Sequence, residues 1–140
     1  MALDIGQARI GLAVGEAGSS FVFGRGYLKR SKLAEDLEYL REKAEEEQVK
    51  AFVLGLPLDQ NGQQSKQSQR VQAFGRELAS LGLPIHYQDE RFTSLVAQQG
   101  ILASGANKRR RQDKGLVDEG AAILILENFL QNQPNPQDIL

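Results

Sequence analysis

The sequence predicts an α/β protein whose mixed β-sheet carries helices on its faces. Three short apolar segments separated by glycine-rich turns open the chain, and a continuous apolar run later ends at Pro57. Amphipathic stretches alternate with the later apolar segments. The length of 140 residues, with 41% hydrophobic and 25% charged residues, is typical of one globular domain. We expect a single domain over residues 1–131 and a polar, flexible tail over 132–140.

The first three strands are predicted from the segments "ALDIG", "RIGLAVG" and "SFVFGRGYL". Turns such as "GEAGSS" separate them, so they should form an antiparallel meander. An amphipathic helix follows, and Ser31 is expected to cap it. Its apolar positions recur at helical spacing, with acidic residues on the other faces. The apolar set is Leu33, Leu37, Leu40 and Ala44, and the acidic set is Glu35, Asp36, Glu38 and Glu42.

The run "AFVLGLP" predicts a parallel strand covered on both faces, because its apolar residues do not alternate with polar ones. A second amphipathic helix and a strand in "LPIHYQDE" come next. The apolar positions of that helix are Val71, Phe74, Leu78 and Leu81. Thr93 is expected to cap a third helix, "ASGANKRRRQDKG" to be an exposed loop, and Leu116 to Leu130 to form the closing helix. This order of elements is that of a ribonuclease H-like domain.

Acidic residues stand where this topology would bring them together. Asp4 lies on the first strand, Asp89 and Glu90 end the last strand, and Asp118 opens the last helix on its apolar face. Converging carboxylates repel one another unless cations neutralise them, and an all-oxygen site suits Mg²⁺ or Mn²⁺. An isolated Asp more often accepts backbone hydrogen bonds in a turn, so the prediction depends on convergence. Neighbours on a strand point to opposite sides, and of the two we select Glu90.

Four segments resemble the signature segments of the YqgF/RuvX family and span nearly the whole chain. They are "DIGQARIGLAV", "GLPLDQNGQQSKQSQRVQAFGREL", "DERFTS" and "VDEGAAILIL". The resemblance implies a fold like that of RuvC-type Holliday junction resolvases and a nuclease that processes the 5′ end of precursor 16S rRNA. It also implies that Asp4, Glu90 and Asp118 are the catalytic carboxylates that bind metal, with two Mg²⁺ or Mn²⁺ ions as cofactors.

Nucleic-acid binding has to come from local charge, because the formal net charge is only -1. The candidate phosphate-binding residues are Arg9, Arg91, Lys108, Arg109, Arg110 and Arg111. Each has an ordinary alternative, since basic runs are often solvated loops and Arg9 follows a hairpin turn. His86, the only histidine, is interpreted as structural.

Other functions remain open at this stage. The substrate is either precursor rRNA or branched DNA, and the sequence does not choose between them. "DIGQARIG" also resembles the phosphate loop of actin-like and sugar-kinase-like proteins, but those need two domains around a cleft. A non-catalytic nucleic-acid adaptor is disfavoured because all three acidic positions are present. With no cysteine, no export signal and no membrane-length apolar run, we expect a cytoplasmic protein that does not contact membranes, and a homodimer is compatible with the sequence.

Overall fold

The structure is a computed structural model that describes residues 1–19, 21–59, 61–90 and 114–132. Within these ranges, five strands form one sheet and three α-helices accompany it. The strands are β1 (Ala2–Ile5), β2 (Arg9–Gly15), β3 (Val22–Lys29), β4 (Phe52–Leu56) and β5 (Ile85–Asp89). The helices are α1 (Leu33–Glu46), α2 (Lys66–Leu78) and α3 (Lys114–Gln131), and a 3-10 turn over Ala79–Leu81 follows α2.

The sheet has the strand order β3-β2-β1-β4-β5, so β1 is central. β2 is antiparallel to both β1 and β3, whereas β4 is parallel to both β1 and β5. The short turns of the N-terminal meander permit antiparallel pairing, and the helical connections that precede β4 and β5 permit parallel pairing. The predicted α/β class with a mixed sheet is therefore confirmed.

Two apolar layers cover the two faces of the sheet. α1 and α2 pack on one face through a cluster that includes Leu3, Leu12, Leu40, Leu54 and Phe74. α3 packs on the other face through a cluster that combines three alanines with larger residues: Ala2, Ala13, Val53, Ala122, Ile125 and Leu126. Adjacent β4 residues belong to different clusters, which explains the uninterrupted apolar run. Because side chains alternate along a strand, Asp4 shares the α3 face with Ala2.

The start of α1 differs from the prediction. The residue before the helix is Lys32, which provides no side-chain cap, while the Ser31 hydroxyl donates a hydrogen bond to Glu35. Asp36, expected on a polar face, is 1% exposed and accepts a hydrogen bond from the Ser31 N–H at 3.0 Å. Leu33, expected on the apolar face, is 41% exposed. The periodicity was misleading here because Asp36 is buried with a charged partner, Arg30.

The second helix follows the predicted pattern more closely. Val71, Phe74 and Leu78 are buried, and Leu81 lies in the 3-10 turn after the helix. Ser65 caps α2 in a capping box with Ser68, a signal that the sequence interpretation did not use. Thr93, the basic loop and the tail over 133–140 lie outside the described residues. None of the described helices combines the length and the apolar character needed to cross a membrane.

Candidate functional site

Asp4 lies on the central strand between two glycines of the neighbouring strands. On β2 its register partner is Gly11. On β4, continuing the parallel pairing of Ala2 with Val53 and Leu3 with Leu54 puts Gly55 beside Asp4. Both neighbours of this carboxylate on the α3 face therefore lack a side chain.

The two glycines leave space that other parts of the site occupy. A Cβ at Gly11 would lie 1.9 Å from the backbone oxygen of Asp118, so only glycine lets α3 approach β2 this closely. A Cβ at Gly55 would lie 2.5 Å from Glu90 Oε2 and 2.4 Å from Ile125 Cδ1. The sequence interpretation did not single out Gly55, although a glycine inside an apolar strand signals a close approach.

The structure brings Asp4, Glu90 and Asp118 to the same face of the sheet. Glu90 follows β5, its N–H donates to Leu56 O at 3.1 Å, and its side chain is in hydrogen-bonding contact with Asp4. Asp118 lies close enough to raise the pKa of Asp4 through its negative charge. Glu90 Oε2 is buried and has no hydrogen-bond partner among the described residues. Glu90, which follows β5, therefore contacts Asp4.

Burial and mutual repulsion set the electrostatics of this cluster. Burial, and secondly the charge of Asp118, raise the pKa of Asp4 to about 7. Burial, and secondly the charge of Asp4, raise the pKa of Glu90 to about 8, and the charge of Asp89 adds a smaller contribution. Such a pair retains a proton near neutral pH unless a cation is supplied.

Arg9 is the cation that faces Asp118. Its Nε donates to Asp118 Oδ2 at 2.8 Å, with the two side chains 29% and 22% exposed. Arg9 begins β2 directly after the tight turn in which the Gly6 N–H donates to Arg9 O at 2.9 Å. The turn therefore places the guanidinium over the end of α3 that carries Asp118.

The donor set fits a hard divalent cation. All the donors are carboxylate oxygens, one buried oxygen of Glu90 lacks a partner within the described ranges, and the cluster carries more negative charge than Arg9 balances. As they stand, no three acidic or histidine side chains of the described residues are grouped to hold one ion. The ion pair with Arg9 engages the Asp118 carboxylate, which would have to leave Arg9 to join Asp4 and Glu90 as a ligand.

The turn that carries Arg9 is held by polar contacts that the sequence interpretation missed. Arg30 Nη1 donates to Gly6 O, and Gln67 Nε2 donates to Ile5 O, both at 2.9 Å. Arg30 is itself paired with buried Asp36 at 3.5 Å and lies 5.2 Å from the centroid of the Phe74 ring. No sequence pattern marks these residues, because their partners are distant along the chain.

The remaining predicted residues divide into two groups. His86 contacts the ring of Phe129 at a centroid distance of 5.2 Å, in keeping with the structural interpretation. Arg91 and the basic run over 108–111 lie outside the described residues, so their predicted role in phosphate binding stays a prediction.

A five-stranded mixed sheet in this order, with carboxylates from the central strand, the β5 end and the covering helix, defines a ribonuclease H-like domain. The family model described as RuvX, Holliday junction resolvase, matches residues 1–132. The chain belongs to the RuvX family.

Curated relatives cover nearly all of the chain. A Thermus thermophilus protein is 44% identical over 129 residues, which are 92% of this chain and 94% of the relative. A Porphyromonas gingivalis protein is 40% identical over 134 residues, 94% and 95% of the two chains. Both carry the name "Putative pre-16S rRNA nuclease". A Deinococcus radiodurans protein, "Ribonuclease YqgF", is 42% identical over 130 residues, 93% of this chain and 85% of the relative.

Proposed function

We propose that this chain is a divalent-metal-dependent nuclease that cleaves precursor 16S rRNA near its 5′ end. The observation that carries the proposal is the contact between Asp4 and Glu90, with the charge of Asp118 acting on Asp4 and with a buried Glu90 oxygen that has no hydrogen-bond partner among the described residues. The names of the relatives support both the reaction and the substrate. We also place the activity in the cytoplasm, in keeping with the absence of cysteine.

The three carboxylates have one task in common and come from different elements. Asp4 supplies oxygen ligands from the rigid centre of the sheet, Glu90 supplies them from the end of β5, and Asp118 supplies them from α3. The chemistry that a pair of bound Mg²⁺ or Mn²⁺ ions supplies is activation of a water and stabilisation of the leaving oxygen. Gly11 and Gly55 keep the ligand side chains and α3 close to the sheet.

Arg9 serves the substrate. In the free protein its guanidinium neutralises Asp118. If Asp118 were to hold a metal ion, the Arg9 guanidinium would be free, and its planar donors suit phosphate oxygens. Arg9 thus holds the phosphate, while the hydrogen bonds to Gly6 O and Ile5 O keep its turn in place.

A Holliday junction resolvase is the second candidate, because the matching family model carries that description. It uses the same carboxylates on branched DNA, and symmetric cleavage of a junction would need a homodimer. Product mapping on precursor 16S rRNA and on a four-way DNA junction, with one protein preparation, separates the two candidates. Cleavage of the junction alone would reject the rRNA assignment.

Two conservative variants test the metal site itself. Asp118→Asn and Glu90→Gln should each lower the cleavage rate by orders of magnitude at saturating Mn²⁺, because each removes a ligand charge. Asp118→Asn should change folding stability by no more than about 1 kcal/mol, since it loses a partly exposed ion pair but relieves repulsion on Asp4.

Asp89→Asn is the matched control, because it neutralises the carboxylate adjacent to Glu90. It should keep most of the activity. If Asp89→Asn abolishes cleavage while Glu90→Gln does not, the assigned ligand is wrong.

A further inference from the structure

An exposed aromatic residue lies beside the carboxylate cluster. Tyr27 is 46% exposed on β3, and its register partner on β2 is Gly11, the glycine against which the Asp118 backbone packs. A Cβ at Gly115 would lie 2.1 Å from Tyr27 Cε1, so the ring rests on the backbone of α3. Gly115 precedes Asp118 by three residues. Residues with this spacing are neighbours on a helix surface, about 5 to 6 Å apart. The ring therefore lies about one helical turn from the site.

Positive charge accompanies this ring. Lys29 is exposed and pairs directly across the sheet with Arg9, so both project from the α3 face. Arg9 is balanced by Asp118, whereas Lys29 forms no ion pair with any residue in the described ranges. Glu119, on α3, accepts a hydrogen bond from the Gly26 N–H at 2.6 Å. Lys29 thus places a positive side chain two residues from Tyr27, on the same face of the sheet.

We propose that Tyr27 and Lys29 form a subsite for one unpaired nucleotide of the RNA, adjacent to the cleaved bond. The base stacks on the Tyr27 ring and its phosphate contacts Lys29. This inference rests on the proposed nuclease function and adds a substrate requirement, a single-stranded segment next to the scissile phosphate. Bases inside a duplex already stack on both faces, so only an unpaired base has a face to offer.

Binding measurements in EDTA test the subsite without cleavage. The probes are a short single-stranded RNA of mixed sequence and the same sequence as a blunt duplex. Tyr27→Leu keeps an apolar side chain over Gly115 but cannot stack, and should weaken binding of the single strand about 5- to 140-fold. Tyr27→Phe should bind like the parent chain. Duplex binding should be the same for all three proteins.

The matched control is Phe23→Leu. Phe23 is 54% exposed on the same strand, but it pairs with Val14 and lies on the opposite face of the sheet. The Phe23→Leu variant should leave RNA binding unchanged. An equal loss in Tyr27→Leu and Phe23→Leu, or no loss in Tyr27→Leu, would overturn the subsite.

The contribution of Lys29 is tested through the salt dependence of RNA binding. Lys29→Ala should reduce the salt slope for the single strand by about 0.7. Lys50→Ala, at the end of the sheet where β4 begins, should not change it. Equal slopes for the two variants would remove Lys29 from the subsite.

A tryptophan probe reports contact directly. The chain contains no Trp, so Tyr27→Trp introduces a single indole whose fluorescence should be quenched by the single strand and not by the duplex. If sedimentation instead shows that Tyr27→Leu dissociates a dimer, the surface is a protein interface and the proposal is wrong. Quenching without any metal-dependent cleavage would reject the nuclease function but keep the subsite. Cleavage without quenching would support the nuclease function and reject the subsite.

Discussion

At the scale of single residues, Asp4 and Glu90 make the metal-free protein sensitive to pH. Their carboxyls are in contact, and burial together with neighbouring negative charge raises the pKa of Asp4 to about 7 and that of Glu90 to about 8. Both values lie above those of an unfolded chain, so the folded state holds protons that the unfolded state has released. The stabilisation is fully present below about pH 4 and is lost as pH rises through 7 to 8.

We therefore predict that the stability of the protein in EDTA contains a contribution that falls between about pH 4 and pH 8, by about 1.4 kcal/mol per pH unit for each proton that only the folded state retains. Denaturant unfolding at several pH values measures it. Asp4→Asn should show a smaller fall, because one titrating group and its repulsion on Glu90 are gone.

The parent protein has to be compared with Asp4→Asn because the Met1 amino group titrates in the same pH range as the two carboxyls. Burial lowers its pKa to about 6, which makes stability rise with pH in both proteins. A fall of equal size in Asp4→Asn would mean that the carboxyl pair is not the origin.

At the scale of elements, the contact between α3 and the sheet determines where Asp118 lies. Small residues line this contact, and at Gly11 the Asp118 backbone lies where a side chain would start. The backbone of Asp118 cannot rotate away as the end of a side chain can. Any residue larger than glycine at position 11 must therefore push α3 outward. The Glu119 carboxylate attaches α3 to β3 as well. It fills the space over Gly24 and accepts a hydrogen bond from the Gly26 N–H.

Gly11→Ala is accordingly predicted to destabilise the fold by about 1 to 3 kcal/mol or more and to abolish cleavage, because overpacking displaces Asp118 from Asp4. Thermal unfolding and a cleavage assay measure the two effects. Gly15→Ala is the control on the same strand and face, since its Cβ would meet its nearest atom, Phe21 O, at 3.1 Å. Similar behaviour of the two variants would contradict this account of the helix position.

At the scale of the whole molecule, a chain of net charge -1 has to bind a polyanion through local positive charge. Arg9 and Lys29 supply part of it on the α3 face. The run Lys108, Arg109, Arg110 and Arg111 precedes α3 in sequence and is the densest basic segment of the chain. We expect that run to contact phosphates without reading bases.

Changing Arg109, Arg110 and Arg111 together to Ala should flatten the log–log salt slope of duplex binding by about 2 to 3 and that of single strands by about 2. Glu90→Gln supplies an inactive background for the titrations. Changing Arg41, Lys43 and Lys50 to Ala removes the same charge from α1 and the residues after it, and should leave both slopes nearly unchanged. Unchanged slopes in the Arg109–Arg111 variant would make the run a solvated connector and direct the search to Arg9, Arg91 and the loop after Pro57.

Local patterns were sufficient for much of this protein. The apolar segments predicted the meander, the parallel strands and the faces of α2 and α3, because strand and helix periodicities are carried by nearby residues. The four signature segments identified the family, which the match over residues 1–132 confirms. The carboxylates were selected because the predicted topology would bring Asp4, Glu90 and Asp118 together and because they stand at the matching places in the family segments.

The sequence by itself thus determined the class of fold, the family and the acidic residues to consider. Only the tertiary structure decided that Gly11 and Gly55 flank Asp4, that Arg9 neutralises Asp118, and that Tyr27 lies beside the site. It also decided that Asp36 is buried and that Ser31 is not a cap. Most of these facts depend on strand register and on contacts between residues far apart in the chain. Register and packing arise when the whole sheet and its helices assemble, so no local spacing encodes them.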